Sequence, residues 1–349
     1  DVPLFLHAEQ PADIYKPRTP VAQIWEQVIA DFTAATALPK RSEYSEEDTG
    51  RVTSGAAYAM LGRTYWYNRD FENAYKMLYV LVEGEQKGEY ELDPDFATQW
   101  LNPNSNLRES IFEIQYVTNG KNWDESTGWN GVWFIPSSDG GYGFHLPTQH
   151  LLDAFDPEDP RITWTFVRQG DQFVGNDFVT GDANYPSRFF DRKHFVPMSE
   201  TLNAASPVYP QDVEMTVYVE ACLEKGDIVG ARKYLNQVRK RARESSPLDA
   251  KRVIQKYVPD TKPTSLPDIT SDNVAEVRLA IWNERRFEFA CEGIRRMDLM
   301  QQERYGEIMT AVYSNGYATE DVDKGRYYTK ERELFPIPQN DIDLSRGAL

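Results

Sequence analysis

The 349-residue sequence predicts a mostly α fold: tightly crossing helix pairs packed against a helical C-terminal region, with long loops and a few short strands. Three observations predict it. Apolar residues return at three- and four-residue steps through residues 21–32, 55–82, 213–242 and 277–297, the period of a helix with one buried face. From about residue 117 to 209 that period is lost and glycine, asparagine and aspartate become dense, as in long loops. A hydrophobic content of 40% over this length is enough for a sizeable core. One domain is expected over residues 1–349, with helix pairs in 1–109, a loop-rich ligand-binding insertion in 110–209 and a helical region in 210–349.

Thr19-Pro20 suits a helix start, with Thr as N-cap and Pro at the first helical position. Val21, Ile24, Trp25, Val28 and Phe32 follow on one face, and Leu38-Pro39 closes the segment. Residues 55–82 read as two antiparallel helices with Asn68-Arg69-Asp70 as their turn. Leu61, Gly62, Tyr65, Phe71, Ala74 and Leu78 alternate large and small as in a tetratricopeptide helix pair, where small residues let two helices approach closely. A second pair runs from Val213 to Ala242 about the turn Lys225-Gly226-Asp227, with Ala231, Leu235 and Val238 facing inward. The two pairs stand about 130 residues apart in sequence. A simple solenoid is not expected, and each pair should pack on the C-terminal region or on some further part.

Ser110–Tyr116 sets Phe112, Ile114 and Tyr116 against Ile111, Glu113 and Gln115, the alternation of a short strand. Trp164–Val167 and Asp171–Val174 read as further short strands. Leu334–Pro338 is too rich in proline for a helix and should lie extended on the surface. Cys222 and Cys291, the only cysteines, fall in helical patterns and read as small core residues rather than a disulfide.

Residues 283–299, NERRFEFACEGIRRMDL, carry the densest charge: Glu284, Glu288, Glu292 and Asp298 with Arg285, Arg286, Arg295 and Arg296, and Arg278 just upstream. Val277, Ile281, Phe287, Ile294 and Met297 keep helical spacing through the stretch, so Glu284 and Glu288 lie near a buried face. Buried carboxylates persist when paired and hydrogen-bonded, and arginine supplies the best-matched planar fork. A structural ion-pair core is the expectation; a catalytic cluster is the alternative.

A net charge of −17 argues against nucleic acid, which requires a basic surface. No run approaches the roughly 18 apolar residues of a membrane span. His7, His145, His150 and His194 are scattered, and no HExxH, paired CxxC, GxSxG, phosphate-binding loop or dinucleotide fingerprint occurs. Asp153, Asp156, Glu158 and Asp159 lack the glycine-spaced pattern of a calcium loop and read as a turn before Pro160-Arg161. No cofactor or metal is expected.

Six segments in order, GRVTSGAAYAMLGRTYWY, SIFEIQY, LLDAFDPEDPR, YLNQVRKRA, NERRFEFACEGIRRMDL and LFPIPQNDI, resemble the SusD/RagB family across most of the chain. Residues 209–222 follow the family pattern loosely, and Met297 stands where an aromatic is typical; both read as core substitutions. The resemblance implies a non-catalytic surface lipoprotein of Bacteroidetes. Such a protein captures a glycan, or in some members a peptide, and delivers it to a SusC-like TonB-dependent transporter in the outer membrane. The N-terminus shows no signal-peptide pattern. Family members begin with a signal peptide and a lipidated cysteine. The resemblance therefore implies about a hundred preceding residues and a lipid anchor, the only membrane contact expected, that lie outside this sequence.

The expected ligand site is the glycine-dense segment 116–144. Trp123, Trp129 and Trp133 fall within eleven residues, followed by Tyr142 and Phe144. Aromatic faces suit the C–H faces of sugar rings, while Asn122, Asp124 and Asn130 supply hydrogen bonds to hydroxyls. The opposing reading is that these tryptophans anchor a long loop. A weaker aromatic loop carries Phe173, Phe178, Tyr185 and Phe189, whereas Trp25, Trp66 and Trp282 sit in helical patterns and read as core. Two other functions stand beside capture. A helical glycoside hydrolase needs two carboxylates flanking a cleft, for which Asp124 or Glu125 with Asp139 are available. A tetratricopeptide scaffold would bind a protein partner, although the surplus of loop tryptophans counts against it.

Overall fold

A computed structural model describes residues 1–10, 15–100, 106–113, 142–144, 146–167, 172–173, 176–177, 189–194, 213–245, 265–314, 329–345 and 347–348. Among these the chain is mostly helical: α1 Val21–Ala35, α2 Ser54–Tyr67, α3 Phe71–Val82, α4 Gln149–Ala154, α5 Ile162–Thr165, α6 Val213–Glu224, α7 Ile228–Arg243, α8 Val274–Glu288, α9 Arg295–Gln301, α10 Tyr305–Ser314 and α11 Gln339–Leu344. Four two-residue strands complete it: β1 Phe166–Val167, β2 Gln172–Phe173, β3 Asn176–Asp177 and β4 Phe190–Asp191. They form two antiparallel ribbons, β1 with β4 and β2 with β3.

The two helix pairs form as their turn chemistry dictates. After α2, Arg69 takes a left-handed φ of 62° and Asp70 accepts the Asn73 N–H at 3.1 Å, capping α3. After α6, Gly226 takes φ 95° and Asp227 accepts the Gly230 N–H at 2.8 Å, capping α7. The pairs are neighbours in space. Helix α3 packs on α6, and α8 closes the stack against α6 and α7. Each pair thus buries its inner face on the other, a placement that sequence separation had concealed. Trp66, Leu78, Tyr218, Leu235 and Ile281 meet in this shared core. At the crossing of α2 and α3, a Cβ on Gly62 would lie 2.5 Å from Leu78 Cγ, so the helices approach closely where the sequence placed a small residue.

Several expectations are corrected. Helix α1 begins at Val21 with Pro20 as N-cap, and the Asp1 carboxylate accepts the Val21 N–H at 2.9 Å. Trp66 is fully buried, but Trp25 and Trp282 are only half-buried, because α1 buries no residue completely and Trp282 lies at the rim of α8. Residues 110–113 are not strand; Glu113 turns its buried carboxylate onto the Asn106 N–H at 2.9 Å and the Ser110 hydroxyl. Residues 162–165 form a helical turn, since Asp159 holds the Arg161 N–H and Thr163 bonds the Pro160 carbonyl; only Phe166 and Val167 are strand. Cys291 sits in the turn after α8 with φ 68°, and both cysteines are free. Met297 is exposed on α9 and is no core substitution. Leu334–Pro338 does lie extended, with Phe335 82% exposed.

Candidate functional site

Beneath the helices lies a buried ion network that fixes the edge of the loop region to the scaffold. Arg161, fully buried, donates to Asp159, to Glu284 at 2.7 Å and to Glu288 at 2.6 Å. Arg239 reaches the other oxygen of Glu284 at 2.5 Å, while Arg241 bridges Glu288 and Glu109. Burial alone would raise the Glu288 carboxyl, but Arg241 and Arg161 outweigh it and hold the group below its ordinary range. Lys193 joins Glu292 and the Glu288 carbonyl on the same side. Every carboxylate of this network is tied to a cation, as buried charges require. The structural reading of the charged segment therefore holds. The partners of Glu284 and Glu288 come from residues 161, 239 and 241, whereas Asp298 pairs with Arg285 of the same segment.

An aromatic contact joins the next segment to the scaffold. Phe155 packs against Phe287 with ring centroids 4.7 Å apart, which seats α4 on α8. Thr148 caps α4 by accepting the Leu151 N–H. Just upstream, Tyr142 and Phe144 stack at 5.9 Å with an interplanar angle of 15°, and both are more than half exposed. Large rings stacked yet left open to solvent offer an apolar platform with a hydroxyl at its edge. Of the expected ligand residues, Tyr142 is placed; Trp123, Trp129, Trp133, Asn122, Asp124 and Asn130 lie outside the described residues, as do Glu125, Asp139, Phe178 and Tyr185. Phe189 packs on Phe166 at 6.2 Å, so that part of the second aromatic loop serves packing.

Two cavities escaped the sequence reading. One of about 540 Å³ opens between residues 81–94 and α7, with Tyr90 and Tyr234 on its walls and Asp93 and Glu109 at its floor. Burial pushes the Glu109 carboxyl up to about 7. Asp93 Oδ2 and Glu109 Oε1 are buried without a hydrogen-bond partner. The second, about 420 Å³, is lined by His150, Arg285, Arg286 and Arg295 with apolar residues of α9 and α10. No periodicity or motif signals either, because each is assembled from segments far apart in sequence. Among the described residues no group of three or more His, Cys, Asp or Glu side chains is arranged to hold a metal ion, and no helix is long and apolar enough to cross a membrane. Asp156 and Asp159 form the expected turn before Arg161.

Residues 217–348 match the model of the SusD family. Among solved structures, the chain is similar to a SusD-like carbohydrate-binding protein from Bacteroides fragilis (TM-score 0.75, 22% identity, 98% of this chain and 74% of that one). It is similar also to a SusD superfamily protein from Bacteroides vulgatus (0.70, 23%, 98% and 71%). A third is surface glycan-binding protein A from Bacteroides thetaiotaomicron in complex with laminarihexaose (0.66, 21%, 95% and 71%). No curated protein sequence is matched.

Proposed function

We propose that this protein, SusD-like in fold and matching the SusD family over residues 217–348, binds a glycan without cleaving it and delivers it to a TonB-dependent transporter at the outer membrane. The observation that carries the reading is the exposed, stacked Tyr142–Phe144 pair on a fold similar to that of glycan-binding proteins. Stacked rings bind the C–H face of a pyranose through dispersion and burial, and neighbouring polar side chains then fix the hydroxyls. In this reading Trp123, Trp129 and Trp133 extend the platform, while Asn122, Asp124 and Asn130 orient the sugar. Catalysis is not part of it. Each carboxylate of the described ion network is tied to a cation, and Asp124, Glu125 and Asp139 fall in a glycine-dense stretch of sequence, poorly suited to fixed catalytic geometry.

Titration calorimetry against laminarihexaose, other neutral oligosaccharides and oligopeptides tests the proposal, with each mixture afterwards analysed for cleavage. Saturable binding of an intact oligosaccharide is expected, weakened by about 1–3 kcal/mol in Trp129→Ala through lost stacking and burial. Unaltered affinity in that variant removes Trp129 from the site. Cleaved product moves the hydrolase ahead, and saturation by peptides alone makes this a peptide-capture protein.

A further inference from the structure

The 420 Å³ cavity lies where the end of α8 and the turn after it meet α4, α9 and α10. In a chain of net charge −17, its lining among the described residues carries four arginines and one carboxylate, Asp298. Both oxygens of Asp298 are taken by Arg285, at 2.9 and 2.7 Å. Arg296 donates to the Glu333 carbonyl and lies 4.2 Å from the Phe335 ring centroid. Arg286 donates to the His150 carbonyl at 3.2 Å and leans on its ring nitrogen at 3.3 Å, neither of them an anion. Arg295 is the least provided for: its Nη1 is buried and has no hydrogen-bond partner. Burial and the mutual repulsion of Arg286 and Arg295 hold the Arg295 guanidinium down to about 10, still fully charged at neutral pH.

Asp298 offsets part of the repulsion at Arg295, but both its oxygens serve Arg285; holding half-buried cations side by side is costly, and an unused guanidinium edge costs more. An oxyanion would satisfy both. The rest of the lining narrows the ligand: Leu151, Phe289, Ile308, Met309 and Val312 present hydrocarbon to the same space. A guanidinium fork fits a planar carboxylate through two parallel hydrogen bonds. We infer that this cavity binds a small organic carboxylate, its head held by Arg286 and Arg295 and its apolar body against α10. Neither Tyr142 nor Phe144 lines the cavity, and the inference does not rest on the glycan reading.

The test is calorimetry on the purified chain at low ionic strength with octanoate, octanamide, glucuronate and inorganic sulfate. Octanoate should bind saturably, at least about tenfold tighter than octanamide, which keeps the tail and lacks the charge. Arg295→Gln should weaken octanoate by about tenfold or more, while Lys76→Gln on the exposed face of α3 leaves it unchanged. Should Arg286→Gln disturb α4, Arg295→Gln alone decides, its folding verified by circular dichroism. Glucuronate binding as tightly as octanoate would assign the acid to a sugar and leave the carboxylate site standing. Absence of octanoate and glucuronate binding, sulfate binding as tight as either, or an unaffected Arg295→Gln variant would each overturn the inference.

Discussion

Glu284 shows what a single residue contributes to this scaffold. It is fully buried and each of its oxygens meets a guanidinium, Arg161 at 2.7 Å and Arg239 at 2.5 Å. Truncation leaves Arg161 buried among fewer anions, and breaking a buried pair from one side costs about 3–5 kcal/mol. Glu284→Ala should therefore lower the urea-unfolding free energy by that amount; an unchanged midpoint would mean that water or relaxation compensates. Helical spacing was enough to place Glu284 and Glu288 on a buried face. It could not supply Arg161, which lies 123 residues away and joins only through tertiary packing. The aspartate–proline turn ahead of Arg161 was legible as a turn, but nothing local marked that arginine as buried. Tyr142 behaves differently: with its ring more than half exposed, Tyr142→Ala should leave the melting temperature within about one degree while weakening glycan binding. A large drop in melting temperature would make the ring a packing element and weaken its case as a platform.

Elements were legible where local chemistry decides them. The turns at Asn68–Asp70 and Lys225–Asp227 fall where the sequence placed them, because an aspartate cap after a left-handed residue stops one helix and starts the next. The short strands were legible only in part. Their alternation is too brief to separate from a turn, and in 110–113 a buried Glu113 carboxylate organises the backbone instead. The α2–α3 crossing gives a prediction at this scale. A methyl on Gly62 would sit 2.5 Å from Leu78 Cγ and 2.6 Å from its Cδ2, and Leu78 is wholly buried with no room to swing away. Gly62→Ala gains helix propensity of up to about 1 kcal/mol yet forces the helices apart, at about 1–3 kcal/mol. A net loss of stability is expected on chemical denaturation. A gain would show that the pair separates without cost, contrary to the close approach on which the tetratricopeptide reading rests.

Across the whole molecule, the charged network joins four regions that the hydrophobic clusters also hold together. Arg161 comes from the loop-rich region, Arg241 from the second helix pair, Glu109 from the loop after the first pair, and Glu284 and Glu288 from α8. Protonation therefore acts on the assembly of these parts, in two opposite directions. The Glu288 carboxyl is held below its ordinary 4.5, so its contribution is present above that pH and is lost as pH falls through the folded value. Glu109 is raised from 4.5 to about 7, so the folded state holds its proton more tightly; that contribution is complete below 4.5 and fades as pH rises toward 7. The raised carboxyls of Glu220 and Glu292 add to the second trend. Stability should accordingly peak in mildly acidic solution, falling steeply below about pH 4 and gently between pH 5 and 7. Glu109→Gln, which cannot take up that proton, should flatten the upper slope and leave the acid limb in place. Denaturant melts of both proteins at half-unit pH steps check this, and an upper slope identical in the two would mean that Glu109 stays ionised, neutralised by Arg241, throughout the range.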